Sequence, residues 1–109
     1  MKNYSDHIAI IGAGIAGLTL GCVLKKEGIP VIIFEKSESI SNYGAGISIS
    51  NNGISILKKI GIFDNIKQSS SNPKVTRFFS KRTQISSFEV NVITTSREVL
   101  YRELLDKYY

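Results

Sequence analysis

Hydrophobic positions fall into short runs whose period changes along the chain. Residues 7–11 (His-Ile-Ala-Ile-Ile) form a β-branched apolar run ending at glycine, the signature of a buried strand. Residues 15–26 switch to small and apolar positions closing on Lys25 and Lys26. Gly28 stands where a helix C-cap glycine belongs, and Pro30 blocks continuation. Val31, Ile32, Ile33 and Phe34 give a second apolar strand, closed by Glu35 and Lys36. Strand, glycine turn, helix and strand make a βαβ unit, whose strands are expected to be parallel and its crossover right-handed.

Beyond a polar loop at 37–43, residues 47–50 alternate as a short strand, and Asn51, Asn52 and Gly53 read as turn chemistry opening the next element. Ile54, Leu57, Ile60 and Ile62 mark a short amphipathic helix broken at Gly61, with another helical turn at 63–67 and a loop at 68–73. Residues 75–79 and 85–92 predict a hairpin around a polar turn at 80–84. Residues 93–95 are extended, and Ser96 is an N-cap for a last helix running through Arg97, Leu100, Leu104 and Leu105. The class is α/β.

Composition narrows this little. The 109 residues, 42% hydrophobic and 21% charged, describe one small globular domain rather than a disordered chain. A single cysteine cannot staple it, so a reducing, cytoplasmic setting is expected. Residues 8–24 carry no charge, but they are short for a membrane span and hold four glycines better explained below. The net charge of +5 arises entirely after residue 57, without the aromatic interleaving that would favour nucleic acid, and reads as a solvated face. His7 is the sole histidine and lacks a ligand-spaced partner, so no metal site is expected. Cys22 reads as a buried core thiol, and Tyr101, Tyr108 and Tyr109 as packing or edge residues.

Chemistry concentrates in Gly12-Ala13-Gly14-Ile15-Ala16-Gly17. A lone GxGxxG is weak, but this one follows a strand, opens a helix and is followed by an acidic residue at the end of the next strand. Gly12 permits the tight turn, and Gly14 lets backbone N–H groups approach a pyrophosphate. Gly17, and Gly21 a turn later, let the helix lie close to the sheet. The helix N-terminus then presents unpaired donors and its positive dipole end. Glu35 would accept hydrogen bonds from an adenosine ribose and repel a 2′-phosphate, which favours FAD or NAD over NADP. The motif establishes a dinucleotide, not which one.

Residues 44–62, Gly-Ala-Gly-Ile-Ser-Ile-Ser-Asn-Asn-Gly-Ile-Ser-Ile-Leu-Lys-Lys-Ile-Gly-Ile, resemble the GAGIxLxPNAxxxLxxLGL segment of the FAD-dependent aromatic-ring hydroxylases, the p-hydroxybenzoate and salicylate hydroxylase-like flavoprotein monooxygenases. Residues 95–105 resemble that family's (H/S)RxxLxxxL helix start. The three matches keep the family's order and spacing. The resemblance implies that residues 12–17 hold the FAD pyrophosphate and that Glu35 with Lys36 holds the adenosine end. It places Gly46, Ile47 and Ser48 beside the flavin side, and Arg97 near the pyrophosphate and ribityl chain. Asn51 departs from the family, replacing a proline, which implies a less rigid turn. The whole enzyme would take hydride from NAD(P)H and use oxygen to hydroxylate an aromatic or related small molecule, with no catalytic side chain among these residues. The family's later Gly-Asp and Asp-Gly motifs have no counterpart in residues 1–109. The resemblance therefore implies an N-terminal FAD-binding portion, with the hairpin at 75–92 as the first piece of a substrate-domain sheet. Two alternatives stand beside it. A dinucleotide-binding fragment without catalysis fits the length, and an NAD-dependent dehydrogenase domain leaves the second and third matches unexplained.

Overall fold

The computed structural model describes residues 3–37 and 45–109. Apart from Ser37, the polar loop expected at 37–43 lies outside the described residues, as does Gly44. Strand β1 (Ile8–Ile11) leads through the glycine turn into helix α1 (Ile15–Lys26), then to β2 (Val31–Phe34). Strand β3 (Gly46–Ile49) is followed by helices α2 (Asn51–Ile60) and α3 (Phe63–Gln68). Strands β4 (Val75–Ser80) and β5 (Thr83–Glu89) come next, then β6 (Ile93–Ser96) and α4 (Arg97–Tyr108).

Among the described residues the strands form three two-stranded sheets. β1 and β2 pair in parallel from Ile8↔Val31 to Ile11↔Phe34, as a βαβ unit requires. β3 and β6 pair antiparallel from Gly46↔Ser96 to Ile49↔Ile93, and β4 and β5 form the hairpin. That hairpin turns more tightly than expected. Its strands run on to Ser80 and Thr83, leaving Lys81 and Arg82 at the tip with Lys81 at φ +56°. A register shift between Phe78 and Phe79 leaves Ile85 as the extra residue on β5.

One buried cluster organises the rest. Leu18 and Cys22 of α1, Ile49 and Ile93 of the β3–β6 ladder, and Ile54, Leu57 and Ile60 of α2 meet Ile66 of α3 and Leu100 and Leu104 of α4. The three buried α2 positions recur every three residues, one face of a helix. Gly61 ends α2 in the left-handed region at φ +85°, and the N–H groups of Gly61 and Ile62 both donate to the Leu57 carbonyl. Asn51 and Asn52 belong to α2's first turn, with Ser50 at the N-cap, so the turn reading there is corrected. Asn51 occupies the first helical position, where proline is well tolerated, and its side-chain carbonyl accepts a hydrogen bond from Asn91 at 2.8 Å.

β1 is not the buried strand its composition predicts. Only Ile10 is buried; Ile8 is 45% and Ile11 83% exposed. Among the described residues this sheet has only two strands, and α1 packs against them.

Candidate dinucleotide site

The glycine turn is shaped by two different demands for glycine. Gly12 has φ +100°, a conformation that side chains resist, and its N–H donates to the Phe34 carbonyl at 2.7 Å, tying the turn to the end of β2. At Gly17 the constraint is contact. A Cβ there would lie 2.1 Å from the Gly12 carbonyl oxygen and 3.3 Å from Ile10 Cγ2, so only glycine lets α1 approach β1 this closely. Gly21 works similarly one turn on, but against Ile33 of β2 and Tyr108 of α4.

Gly14 is the opposite case. A Cβ at this N-cap would meet nothing within 4 Å, and its φ of −78° is ordinary. Neither packing nor backbone strain asks for glycine here. What a side chain would fill is the open space before the helix, where an approaching ligand needs room. The helix start supports the same reading. Among the described residues no side chain caps α1, and its first turn holds no acidic residue. The N–H groups of Ile15, Ala16 and Gly17 are thus left for an external acceptor. α4 shows the ordinary solution, with Ser96 Oγ accepting from the Val99 N–H at 3.1 Å and Glu98 in the first turn.

Of the residues expected around the turn, Glu35 and Lys36 adjoin it through β2. Glu35 and Lys36 follow directly on Phe34, whose carbonyl receives the Gly12 N–H, and both side chains are exposed. Gly46, Ile47 and Ser48 are joined to the start of α4 by the β3–β6 ladder, and the Arg97 N–H donates to the Ala45 carbonyl at 2.9 Å. Ser48 Oγ lies 3.1 Å from Thr94 Oγ1. Sequence reasoning placed 93–95 as extended but did not foresee this pairing. Ala13 and Ile15 pack against the same core that holds Ile49, Ile93 and Leu100, which sets the turn and the ladder on one foundation. A Cβ at Gly46 would come no closer than 3.7 Å to protein, so packing alone does not demand glycine there either.

α1 and α4 lie side by side and run the same way. Cys22 Sγ contacts the Leu104 carbonyl at 3.4 Å, and Lys25 Nζ donates to the Tyr108 carbonyl while lying 4.5 Å from the centre of its ring. Both helix starts therefore point to the end of the molecule where the glycine turn and Glu35 lie. Arg97, the first residue of α4, is exposed and has no ion-pair partner among the described residues, whereas Arg102 pairs with Glu98 at 2.6 Å. A cation at a helix start gains nothing from the helix dipole.

A parallel βαβ unit, a glycine turn at the uncapped start of α1 and a carboxylate at the end of the second strand define a dinucleotide-binding α/β fold. Comparison with known proteins identifies the branch. A family model described as an FAD binding domain matches residues 6–106, and the chain belongs to that family. It is 30% identical over 111 aligned positions to the FAD-dependent monooxygenase pynG of Aspergillus niger, covering 94% of this chain and 26% of that protein. It is 46% identical over 61 residues to the FAD-dependent monooxygenase pytG of Aspergillus terreus, covering 56% of this chain and 18% of the relative. With the 6-hydroxynicotinate 3-monooxygenase of Pseudomonas fluorescens it shares 39% identity over 69 residues, 63% of this chain and 18% of that one. Among solved structures, tetrameric 2-methyl-3-hydroxypyridine-5-carboxylic acid oxygenase superposes with a TM-score of 0.85 at 27% identity, over 97% of this chain and 29% of its own. Klebsiella pneumoniae HpxO complexed with FAD gives a TM-score of 0.75 at 27% identity, over 93% of this chain and 28% of its own. The chain spans about a quarter or less of the length of these curated relatives. Among the described residues, no helix is long and apolar enough to cross a membrane.

Proposed function

We propose that residues 1–109 form the FAD-gripping portion of a flavin-dependent monooxygenase acting on a small aromatic molecule. The observation that carries the site assignment is the start of α1. Its donors are uncapped, and the one residue whose side chain would block them, at position 14, is a glycine that packing does not require.

In this reading the N–H groups of residues 13–17 donate to the FAD pyrophosphate, and the Arg97 guanidinium neutralises it from the α4 side. Glu35 accepts hydrogen bonds from the adenosine ribose, with Lys36 beside it. Gly46, Ile47 and Ser48 line the flavin side, held in register with Arg97 by the β3–β6 ladder. Bound FAD supplies the redox and oxygen-activating chemistry, with NAD(P)H as donor; these residues bind and orient it. An aromatic substrate is supported by relatives named for 6-hydroxynicotinate and 3-amino-4-hydroxybenzoate. The projecting β4–β5 hairpin is the first piece of the substrate-domain sheet. Its exposed Phe78, Phe79, Ile85 and Phe88 support that assignment. The single buried cysteine suits a reducing cytoplasm.

The test is a titration of the chain with FAD, followed by flavin fluorescence, with NADH as competitor. Saturable binding that NADH does not displace is expected. Displacement by equimolar NADH would overturn the flavin assignment in favour of a nicotinamide site.

A further inference from the structure

The β4–β5 hairpin continues beyond its strands as a paired ribbon. The Val90 N–H donates to the Lys74 carbonyl at 2.9 Å, and Ser71 and Thr94 exchange two backbone hydrogen bonds at 2.8 and 2.9 Å. Residues 71–96 thus form one unit, rooted in the molecule through the β3–β6 ladder. Apart from that ladder, one side-chain hydrogen bond among the described residues joins the ribbon to another element. Asn91 Nδ2 donates to Asn51 Oδ1, the first residue of α2, at 2.8 Å.

The backbone at position 51 does not ask for asparagine. Ser50 before it is extended at φ −81° and ψ 177°, as a residue preceding proline must be, and the first helical position tolerates proline well. The proline that the family resemblance implies here would fit. What proline lacks is a side-chain acceptor.

We infer that Asn51 and Asn91 form a latch that fixes the angle between the hairpin ribbon and the FAD-binding portion. Asn51 stands two positions after β3, and Asn91 two before β6. Their hydrogen bond closes the ladder at its Ile49↔Ile93 end, as the bond from the Arg97 N–H to the Ala45 carbonyl closes the other. The latch therefore sets how the hairpin meets the flavin-side strand. That consequence for a substrate-domain sheet rests on the proposed function; the latch itself does not.

The test is the distance distribution between spin labels on Arg82→Cys at the hairpin tip and Asp106→Cys on α4, both exposed positions, in a Cys22→Ala background. With both asparagines present, one narrow peak is expected. Asn91→Ala and Asn51→Pro should each raise the share of molecules at other distances about fivefold, as for loss of one neutral hydrogen bond. Combined, they should do no more than either alone. The urea midpoint should stay unchanged throughout, because the latch orients the ribbon without holding the core. An unmoved narrow peak in either variant overturns the inference, as does a peak already broad with both asparagines present. A midpoint lowered in step with the broadening overturns it too, by showing a merely structural role. The distances are read without FAD, so failure of the FAD titration would overturn the proposed function without touching this result.

Discussion

The α1–α4 face and the β4–β5 hairpin are built from similarly apolar sequence and end up in opposite states. Along α1 and α4, Leu18, Cys22, Leu100 and Leu104 are all under 5% exposed. Along the hairpin, Phe78, Phe79, Ile85 and Phe88 are 49–65% exposed, and the Phe78 and Phe88 rings, 5.7 Å apart, are one another's aromatic contact. The hairpin stretches the molecule to 65 × 27 × 21 Å and its radius of gyration to 17.3 Å, against about 13 Å for a compact chain of this length. Stability in this chain therefore resides where the dinucleotide site is founded, and the hairpin adds surface without adding to the core.

The largest effect that sharpens this contrast lies in the glycine turn. Gly17→Ala places a Cβ against the Gly12 carbonyl and should cost about 3 kcal/mol, read as a lower urea midpoint with unchanged slope. An unperturbed midpoint would show that α1 does not pack on the turn as described. Alkaline pH attacks the same region. Burial pushes up the Cys22 thiol and the Tyr101 and Tyr108 phenols from ordinary values of 9.0 and 10.0. The folded state then holds protons that the unfolded state releases. Stability should be level below pH 9 and fall above it, and Cys22→Ala should flatten the first part of that fall. Urea unfolding at pH 8 and pH 10 measures both.

Smaller effects follow. Thr95 Oγ1 is buried without a hydrogen-bond partner among the described residues, on the core side of β6 opposite Ile47. Thr95→Val should leave stability unchanged or raise it by about 1 kcal/mol, whereas a clear loss would reveal a partner for that hydroxyl. Phe88→Ser should shift the same midpoint by less than about 0.5 kcal/mol. A core-sized loss would mean that the hairpin is part of the cooperative unit, which breaks the comparison.

Elements set by local pattern were legible in the sequence. α1 and β2 fall where the change of period and the flanking Gly28 and Pro30 put them, and Ser96 caps α4 as its residue type predicts. Pairings across long separations were not. Nothing in residues 46–49 specifies that they bond to 93–96, because antiparallel register between distant segments is decided by the packing of Ile49 and Ile93 into a shared core. β1 misled for a related reason. A β-branched run reports suitability for burial, but whether a strand is buried depends on the layers around it. At the site, the glycine turn and Glu35 were readable as a motif. Tyr101 read as a packing residue, and it packs against the core.

On the proposed function, Gly14 is glycine for the ligand and Gly17 is glycine for the fold. The most direct test is Gly14→Val, measured for both thermal unfolding and FAD affinity by flavin fluorescence. A melting transition close to that of the unsubstituted chain, with FAD binding abolished, is the predicted result. Normal FAD affinity in the folded variant would contradict the placement of the pyrophosphate at this turn.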